Sequence, residues 1–290
     1  MDENVPLARH TTIGTGGPAR WFARPESIDE LHDVLAWAHD RRVDVEAIGL
    51  GSNVLAHDDG VDAVVVKLAG PLAQVELDGD VLVAGGGAAN AVCLHRARAA
   101  GLGGFEFASA IPGTVGGGVR MNAGAYGREF RDVLLDATVV DHTGVRSLDA
   151  TQLELAYRHS NLEPGAVVAQ VRLRLEPSST DEVKSRTAEL LAQRKATQPT
   201  NKRTFGSVFK NPDGSPGAGR MIELCGLKGH AVGGAVISPR HANFIENAGG
   251  ATSAQCLELM AEARRRVHER FGYALVHEVR FLGPLALPEL

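Results

Sequence analysis

Six of the seventeen residues in the stretch IPGTVGGGVRMNAGAYG, at positions 111–127, are glycine. Glycine loses more conformational freedom on folding than any other residue, so a stretch this rich in glycine needs a physical reason. A second loop of this kind, GLGSN at positions 49–53, directly follows strand-like sequence. Either the two loops are only tight turns, or bare backbone is needed there to hold a bound group.

Backbone N–H groups in glycine loops are a common way for proteins to hold a diphosphate. A Rossmann site would need G-x-G-x-x-G between a strand and a helix, but strand-like sequence follows GLGSN, and the G-K-[ST] of a P-loop is absent. Ser52, Asn53, Thr114 and Asn122 add hydrogen-bonding side chains to the two loops. Together these features favour a large phosphate-bearing cofactor.

Composition indicates which kind of protein this chain is and in which compartment we expect it. The chain has 290 residues, 44% of them hydrophobic, and a net charge of −5 with scattered basic residues, which argues against nucleic-acid binding. Three cysteines without C-x-x-C spacing predict free thiols and no metal site. The polar segment MDENVPLARH has no apolar signal-peptide core, and no apolar run is long enough to cross a bilayer. We expect a cytoplasmic monomer without membrane partners.

Periodicity and capping signals predict both helices and strands. Helices are expected after the Ser27/Glu30 capping pattern, at 88–100 before Gly101, at 181–195 after Ser179, and at 253–271 before Gly272. Strands are expected at 43–48, 62–68, 74–85 (a hairpin turning at Asp78 and Gly79), 133–148 (a hairpin), 166–177 and 273–282. A domain boundary is predicted at 177–180.

The order of short motifs along the chain resembles a known family. The motifs are TTIGTGGPA (11–19), GLGSN, IPGTVGG…MNAGAYG, YRHS (157–160), ATQP (196–199), GSVFKNP (206–212), HANFI (241–245) and EVR (278–280). From residue 5 to residue 283 they are similar to UDP-N-acetylenolpyruvoylglucosamine reductase, also called UDP-N-acetylmuramate dehydrogenase. The chain resembles the shorter form, which lacks a tyrosine-bearing insertion.

The resemblance implies an α+β protein with a FAD-binding fold of the vanillyl-alcohol-oxidase/PCMH type in two subdomains, plus a smaller α/β substrate-binding domain. The first subdomain would be 1–66, completed by a C-terminal strand within 272–290. The second would be 67–180, and the substrate-binding domain 181–271. FAD would be bound noncovalently, because the first loop lacks the histidine that tethers flavin in some relatives. The cofactor contacts implied are Gly49, Gly51, Ser52, Asn53, Ile111, Pro112, Gly113, Gly116, Gly117, Asn122, Gly124 and Arg280.

The implied reaction is a step in the synthesis of peptidoglycan precursors. NADPH reduces FAD, and hydride then reaches the enolpyruvyl group of UDP-N-acetylglucosamine-enolpyruvate, giving UDP-N-acetylmuramate. Arg158 would hold the substrate carboxylate with its planar fork. Ser207 would supply a proton, with help from a neighbouring charge or water because a hydroxyl is a poor acid. Glu278 would help only when it is protonated or shares a proton with the substrate carboxylate, and partial burial of a glutamate raises its pKa in the direction that this role needs.

Three further side chains are implied in substrate binding, and one in flavin stabilisation. Tyr157, Lys195 and Asn211 are the candidates for the nucleotide sugar. Arg280, two residues after Glu278, is expected on the same face of a terminal strand, where its cation would suit reduced flavin. The alternative enzyme is another FAD oxidoreductase of the same fold, acting on a sugar alcohol or lactone. A nucleotide-sugar-binding protein without catalysis is the alternative from a different class.

Overall fold

The computed structural model describes residues 1–214 and 216–290. Within these residues the α-helices are α1 (Ile28–Asp40), α2 (Asn90–Ala99), α3 (Val115–Arg120), α4 (Thr180–Thr197), α5 (Ala218–Leu224) and α6 (Ser253–Phe271). The strands are β1 (Asp2–Pro6), β2 (Pro18–Ala23), β3 (Asp44–Ala47), β4 (Val54–Ala56), β5 (Val61–Val66), β6 (Val75–Asp78), β7 (Val81–Gly85), β8 (Leu102–Gly103), β9 (Gly124–Ala125), β10 (Arg128–Glu129), β11 (Leu134–Asp141), β12 (Gly144–Leu148), β13 (Val167–Arg174), β14 (Glu176–Pro177), β15 (Thr204–Ser207), β16 (Ala231–Val232), β17 (Ala235–Ile237), β18 (Phe244–Asn247) and β19 (Arg280–Leu282).

The chain forms two compact units. Unit 1 comprises Met1–Asp2, Trp21–Leu50 and Ala63–Arg194, and unit 2 comprises Glu3–Arg20, Gly51–Asp62 and Lys195–Leu290. Most of α4 therefore belongs to unit 1, whereas the sequence placed this helix at the start of a separate substrate-binding domain. The three-part division remains a prediction.

Unit 1 is built on a five-stranded antiparallel sheet in the order β12-β11-β13-β7-β6. One apolar core joins this sheet to α2 and α3, through side chains such as Leu94, Val119 and Val171. Another core joins the sheet to α1, where Leu31 and Leu35 lie among its buried residues. Because helices pack on it through both cores, the sheet forms the centre of the unit.

An aromatic cluster explains one glycine of the GGG triplet. The rings of Phe105, Phe107 and Phe130 meet edge to face with centroids 5.5–6.0 Å apart. A Cβ at Gly118 in α3 would lie 2.3 Å from the Phe130 ring. Only glycine therefore lets this turn of α3 rest on the cluster.

Unit 2 contains the four-stranded sheet β15-β18-β17-β16 and the parallel pair β4 and β19. Helices α5 and α6 contribute Ile222 and Leu259 to its core, together with Phe205 and Phe209 from the β15 region. Thr252 and Gln255 form a capping box at the start of α6, and Gly272 ends this helix at φ +66°. These are the local signals that make α6 recognisable in the sequence.

The predicted helices and most predicted strands are confirmed. Ser27 accepts the Glu30 N–H at the start of α1, and Gly101 follows α2 at φ +67°. The strand predicted at 273–282 is wrong over most of its length, because only Arg280–Leu282 forms a strand. The physical reason is a bend in the chain at Val279, described below.

Candidate functional site

Two segments of unit 1, residues 86–90 and 111–116, pair side by side through backbone hydrogen bonds. Gly116 donates its N–H to the Gly86 carbonyl over 2.9 Å. A Cβ at position 116 would lie 2.8 Å from that same oxygen and 3.0 Å from the Val168 carbonyl. Gly116 is therefore glycine because other backbone lies against it. This packing is a reason that the sequence did not reveal, while the predicted contact of Gly116 with the cofactor stays a prediction.

Asn90, at the start of α2, holds the beginning of the glycine-rich stretch. Its backbone N–H bonds the Gly113 carbonyl at 3.0 Å, and its side-chain Nδ2 bonds the Ile111 carbonyl at 2.9 Å. Pro112 lies between these two anchor points. The Asn90 Oδ1 is buried and has no hydrogen-bond partner within the described part of the chain. A buried acceptor left in this state costs free energy unless a bound group donates to it.

Gly49 and Gly117 lie on either side of Thr114. Thr114 caps α3 by accepting the Gly117 N–H, at 3.4 Å. A Cβ on Gly49 would lie 2.6 Å from the Thr114 Oγ1, so this residue must be glycine for the first loop to approach the second. Gly117 is different, since it is exposed and the nearest atom to an added Cβ is 3.6 Å away. Among the glycines of α3, Gly117 is the one that borders open space.

A groove in unit 1 runs between these segments, with a cavity volume of about 90 Å³. Its walls come from the ends of β3 and β5, the turn after β7, the N-terminal part of α3 and the start of β13. Lys67 and Arg120 are the cationic side chains in these walls. Burial lowers the pKa of Lys67, and the positive charge of Arg24 lowers this pKa further. A partly buried ammonium beside another cation favours an anionic ligand.

Asn122 has a different role from the cofactor contact predicted for it. Its side chain is fully buried at φ +38°. The Nδ2 donates to the Glu129 carboxylate at 2.9 Å and to the Ala156 carbonyl at 3.0 Å, and the Oδ1 accepts the Arg131 N–H at 3.0 Å. The amide is therefore occupied by protein groups. Asn122 holds the turn that follows Ala156.

Gly124 and Gly51 are also constrained by neighbouring protein. A Cβ at Gly124 would lie 2.6 Å from the Glu129 side chain, and a Cβ at Gly51 would lie 2.0 Å from the His10 carbonyl. Room for a cofactor is therefore not what makes either residue glycine.

Tyr157 and Arg158 form the tip of a two-residue turn in unit 1. Ala156 and His159 close this turn with reciprocal backbone hydrogen bonds of 3.1–3.2 Å. Arg158 adopts φ +53°, a left-handed conformation that costs free energy for a residue other than glycine. Its guanidinium bonds the Gly124 carbonyl at 3.0 Å and lies 4.9 Å above the Tyr157 ring. The strained turn therefore places the half-buried guanidinium of Arg158 against Gly124, near the end of the glycine-rich stretch.

Ser207, Glu278 and Arg280 come together in unit 2 through backbone hydrogen bonds. Glu278 donates its N–H to the carbonyl of Val208, the residue after Ser207, at 2.9 Å. Asn53 connects the same segment to the first glycine loop. Its Nδ2 bonds the Glu278 carbonyl at 2.8 Å, and its own carbonyl accepts the Arg280 N–H at 3.0 Å. The two residues predicted for proton supply and carboxylate contact therefore lie on adjacent segments.

Gly206 fixes the approach of β15 to the first loop. It adopts φ +81°, and a Cβ there would lie 3.1 Å from the Ser52 carbonyl. Gly206 thus lets Ser207 and Ser52 lie on neighbouring backbone.

The chain bends at Val279, between Glu278 and Arg280. The rings of His277 and Phe281 stack with centroids 4.3 Å apart and planes 10° apart. In a straight strand, residues four apart are separated by about 13 Å, so this stacking requires a bend. The period-two argument that placed Glu278 and Arg280 on one strand face therefore does not apply.

The three residues predicted to bind substrate are exposed. Tyr157 is at the tip of the turn in unit 1. Lys195 is in the last turn of α4, and in unit 2 the Asn211 Oδ1 accepts the Ala218 N–H at the start of α5, at 3.0 Å. Asn211 therefore also serves as a cap for that helix.

Comparison with known proteins decides the family. Residues 19–148 match the family model described as FAD binding domain, and residues 198–282 match that of UDP-N-acetylenolpyruvoylglucosamine reductase, C-terminal domain. The reductase of Anaeromyxobacter dehalogenans (strain 2CP-C) is 45% identical over 99% of this chain and 87% of its own length. That of Acidiphilium cryptum (strain JF-5) is 44% identical over 97% of this chain and 90% of its own length.

A solved structure agrees with these relatives. The crystal structure of UDP-N-acetylenolpyruvylglucosamine reductase from Thermus caldophilus aligns with a TM-score of 0.84 and 37% identity, over 97% of this chain and 98% of that one. The chain belongs to the UDP-N-acetylenolpyruvoylglucosamine reductase family. It is a flavin-dependent oxidoreductase with the FAD-binding α+β fold, and FAD and NADPH are its cofactors.

The groove in unit 1 fits part of the FAD of a UDP-N-acetylenolpyruvoylglucosamine reductase. It offers a wall of bare backbone at Gly117 and the ammonium of Lys67. A diphosphate needs cations and close backbone, and the groove supplies both. Within the described residues, none of the helices combines the length and apolar character that crossing a bilayer requires.

Gly117→Val and Gly116→Val form a matched pair of variants. The pair distinguishes a glycine that leaves room for the cofactor from a glycine that leaves room for neighbouring backbone. Gly117→Val should raise the FAD dissociation constant about tenfold or more, because the side chain enters open groove space, while the apoprotein unfolds at an unchanged temperature. Gly116→Val should instead lower the unfolding free energy of the apoprotein by about 1–3 kcal/mol, because backbone occupies its Cβ direction. Flavin fluorescence titration and thermal unfolding measure the two effects. Parent-like FAD affinity in Gly117→Val would contradict the groove as the FAD site.

Proposed function

We propose that this chain reduces UDP-N-acetylglucosamine-enolpyruvate to UDP-N-acetylmuramate, with the residue roles given below. The observation that supports these roles most directly is the backbone pairing of the Ser207 segment with the Glu278 segment, at 2.9 Å between the Glu278 N and the Val208 O. Bound FAD supplies hydride transfer from NADPH to the substrate. The protein must bind the substrate, stabilise the charge that hydride adds, and deliver one proton.

Arg158 binds the substrate carboxylate and stabilises the charge that develops on it. A guanidinium presents planar paired donors that match a carboxylate. Its left-handed backbone and its bond to the Gly124 carbonyl fix the direction of the side chain before substrate arrives. Preorganised donors of this kind are effective because they need no rearrangement during the reaction.

Ser207 donates the proton to the carbon next to the reduced centre. It is half-buried at the end of β15, where the strand leaves β18 and its next residue pairs with Glu278. Glu278 contacts the substrate carboxylate through a proton that it carries or shares with the substrate. Arg280, held by the Asn53 carbonyl, contributes positive charge toward the flavin. Tyr157, Lys195 and Asn211 bind the remainder of the nucleotide sugar.

Lys67 joins the cofactor contacts predicted from the sequence. It lines the groove that Gly49, Thr114 and Gly117 border, and a phosphate oxygen would compensate the charge that burial and Arg24 disfavour. We further propose that the chain acts as a monomer in the cytoplasm. Three free thiols support a reducing compartment.

Lys67→Met should weaken FAD binding without weakening riboflavin binding, because riboflavin lacks the diphosphate. One lost charge-assisted hydrogen bond corresponds to about 10–100-fold in the FAD dissociation constant. Lys184→Met, which removes an exposed lysine of α4, is the matched control and should leave both ligands unaffected. Equal weakening of FAD and riboflavin would show that Lys67 supports the fold rather than the diphosphate.

Ser207→Ala should separate the two halves of the reaction. Flavin reduction by NADPH needs no protein acid and should keep its rate. Reoxidation by the enolpyruvyl substrate should slow by about 10²–10⁴-fold, the usual effect of losing one general acid. Anaerobic stopped-flow recording of flavin absorbance resolves the two steps. Equal slowing of both steps would assign Ser207 to shaping the flavin site and would remove the proton-donor role.

A further inference from the structure

The side-chain amide of Asn243, in the HANFI motif, bonds the backbone of Phe209 in the way that a neighbouring strand would. Its side chain is only 4% exposed. The Oδ1 accepts the Phe209 N–H at 3.0 Å, and the Nδ2 donates to the Phe209 carbonyl at 2.8 Å. The Asn243 carbonyl also accepts the Val208 N–H at 2.9 Å. One asparagine therefore makes three hydrogen bonds to the two residues that follow Ser207.

These bonds lie where the chain changes partners. Ser207 is the last residue of β15 and pairs with Phe244 of β18, after an irregularity in register that begins at Thr204. Beyond Ser207 the chain pairs with the C-terminal segment, where Lys210 donates its N–H to the Val276 carbonyl at 2.8 Å. Phe209 is nearly fully buried, so its two backbone polar groups need partners at this crossing. The Asn243 amide satisfies both.

We propose that Asn243 is a positioning residue that holds Ser207 in the orientation needed to deliver its proton. The amide fixes Phe209, and Asn243 and Phe244 together fix both sides of the Ser207 peptide. The backbone that carries Ser207 is thereby held beside the Glu278 segment, which bonds the Val208 carbonyl. This inference rests on the proton-donor role proposed for Ser207. It gives the HANFI motif a part in the reaction that does not require contact with substrate.

A second asparagine nearby offers a matched comparison. Asn243 directly precedes β18, and Asn247, the last residue of β18, donates its Nδ2 to the Ile13 carbonyl at 2.9 Å. Its Oδ1 accepts the N–H groups of Gly249 and Ala251, at 3.0 and 3.2 Å. Asn243 and Asn247 thus perform the same kind of backbone bridging in unit 2. Only Asn243 bridges to the segment that carries Ser207.

The experiment compares Asn243→Ala with Asn247→Ala in the FAD-loaded protein. Both variants should lose thermal stability, because each leaves backbone groups without partners. Only Asn243→Ala should slow reoxidation of the reduced flavin by the enolpyruvyl substrate, by about 10–100-fold, since small displacements of a reacting group have effects of this size. Flavin reduction by NADPH should be unchanged in both. The solvent deuterium isotope effect on reoxidation should rise in Asn243→Ala alone, because proton delivery becomes slower.

Equal reoxidation rates in the two variants would overturn the inference, as would equal slowing of both half-reactions in Asn243→Ala. Asn243→Asp, which keeps the acceptor for the Phe209 N–H, replaces the alanine variant if that protein does not fold. If neither folds while Asn247→Ala does, Asn243 serves the fold as a whole and the inference is wrong. Ser207→Ala separates the two proposals. If it reoxidises at the parent rate, the proton-donor role itself fails; if it is slow while the Asn243 variants are not, only the positioning role fails.

Discussion

Close backbone approach between residues 86–90 and residues 111–116 is the constraint on which unit 1 depends. A carbonyl lies 2.8 Å from the place that a Cβ at Gly116 would take, so this pairing exists only if the residue has no side chain. The pairing sets the start of α3. The start of α3 in turn places Thr114 against Gly49 and leaves Gly117 facing the groove. The groove proposed for FAD is therefore a consequence of how the protein packs against itself.

In unit 2, hydrogen bonds from asparagine side chains to the backbone hold the segments of the proposed site. Residues with proposed chemical roles are held through backbone hydrogen bonds by neighbouring asparagines. Asn53 binds the backbone on both sides of the bend at Val279, and Asn243 binds the backbone after Ser207. Asparagine suits this work because one amide offers both a donor and an acceptor, as a peptide group does. In unit 1, Asn122 does the same for the turn that carries Arg158. The positions of Arg158, Ser207 and Glu278 thus depend on hydrogen bonds that these asparagine amides make to the backbone.

The sequence predicted the elements with strong local signals. Helices α1 and α6 have capping residues and an apolar stripe, and the paired strands alternate in hydrophobicity, so local physics alone locates them. The strand expected at 273–282 is interrupted by a bend at Val279, where His277 stacks on Phe281 and the backbone changes partner from the Phe209 segment to Asn53 and β4. No local pattern in the sequence encodes these contacts. The motif order identified the family, since many short matches in register exceed what any single glycine pattern conveys.

The reasons for individual site residues were harder to predict. A glycine that admits a ligand and a glycine that admits neighbouring backbone look identical in a sequence, so Gly116, Gly117 and Gly118 could be told apart only by their surroundings. Lys67 was missed because a lone lysine after a buried strand usually reaches solvent. The run VVVK was the available signal, since it places a cation directly at the end of a buried strand.

Reduced flavin in this protein passes hydride to an enolpyruvyl nucleotide sugar. The most direct test is anaerobic mixing of the NADPH-reduced protein with UDP-N-acetylglucosamine-enolpyruvate, followed by flavin absorbance and product analysis, beside a parallel mixing with oxygen. The nucleotide sugar should reoxidise the flavin much faster than oxygen does, with one UDP-N-acetylmuramate formed per flavin. Fast reoxidation by oxygen, with no effect of the nucleotide sugar, would contradict it.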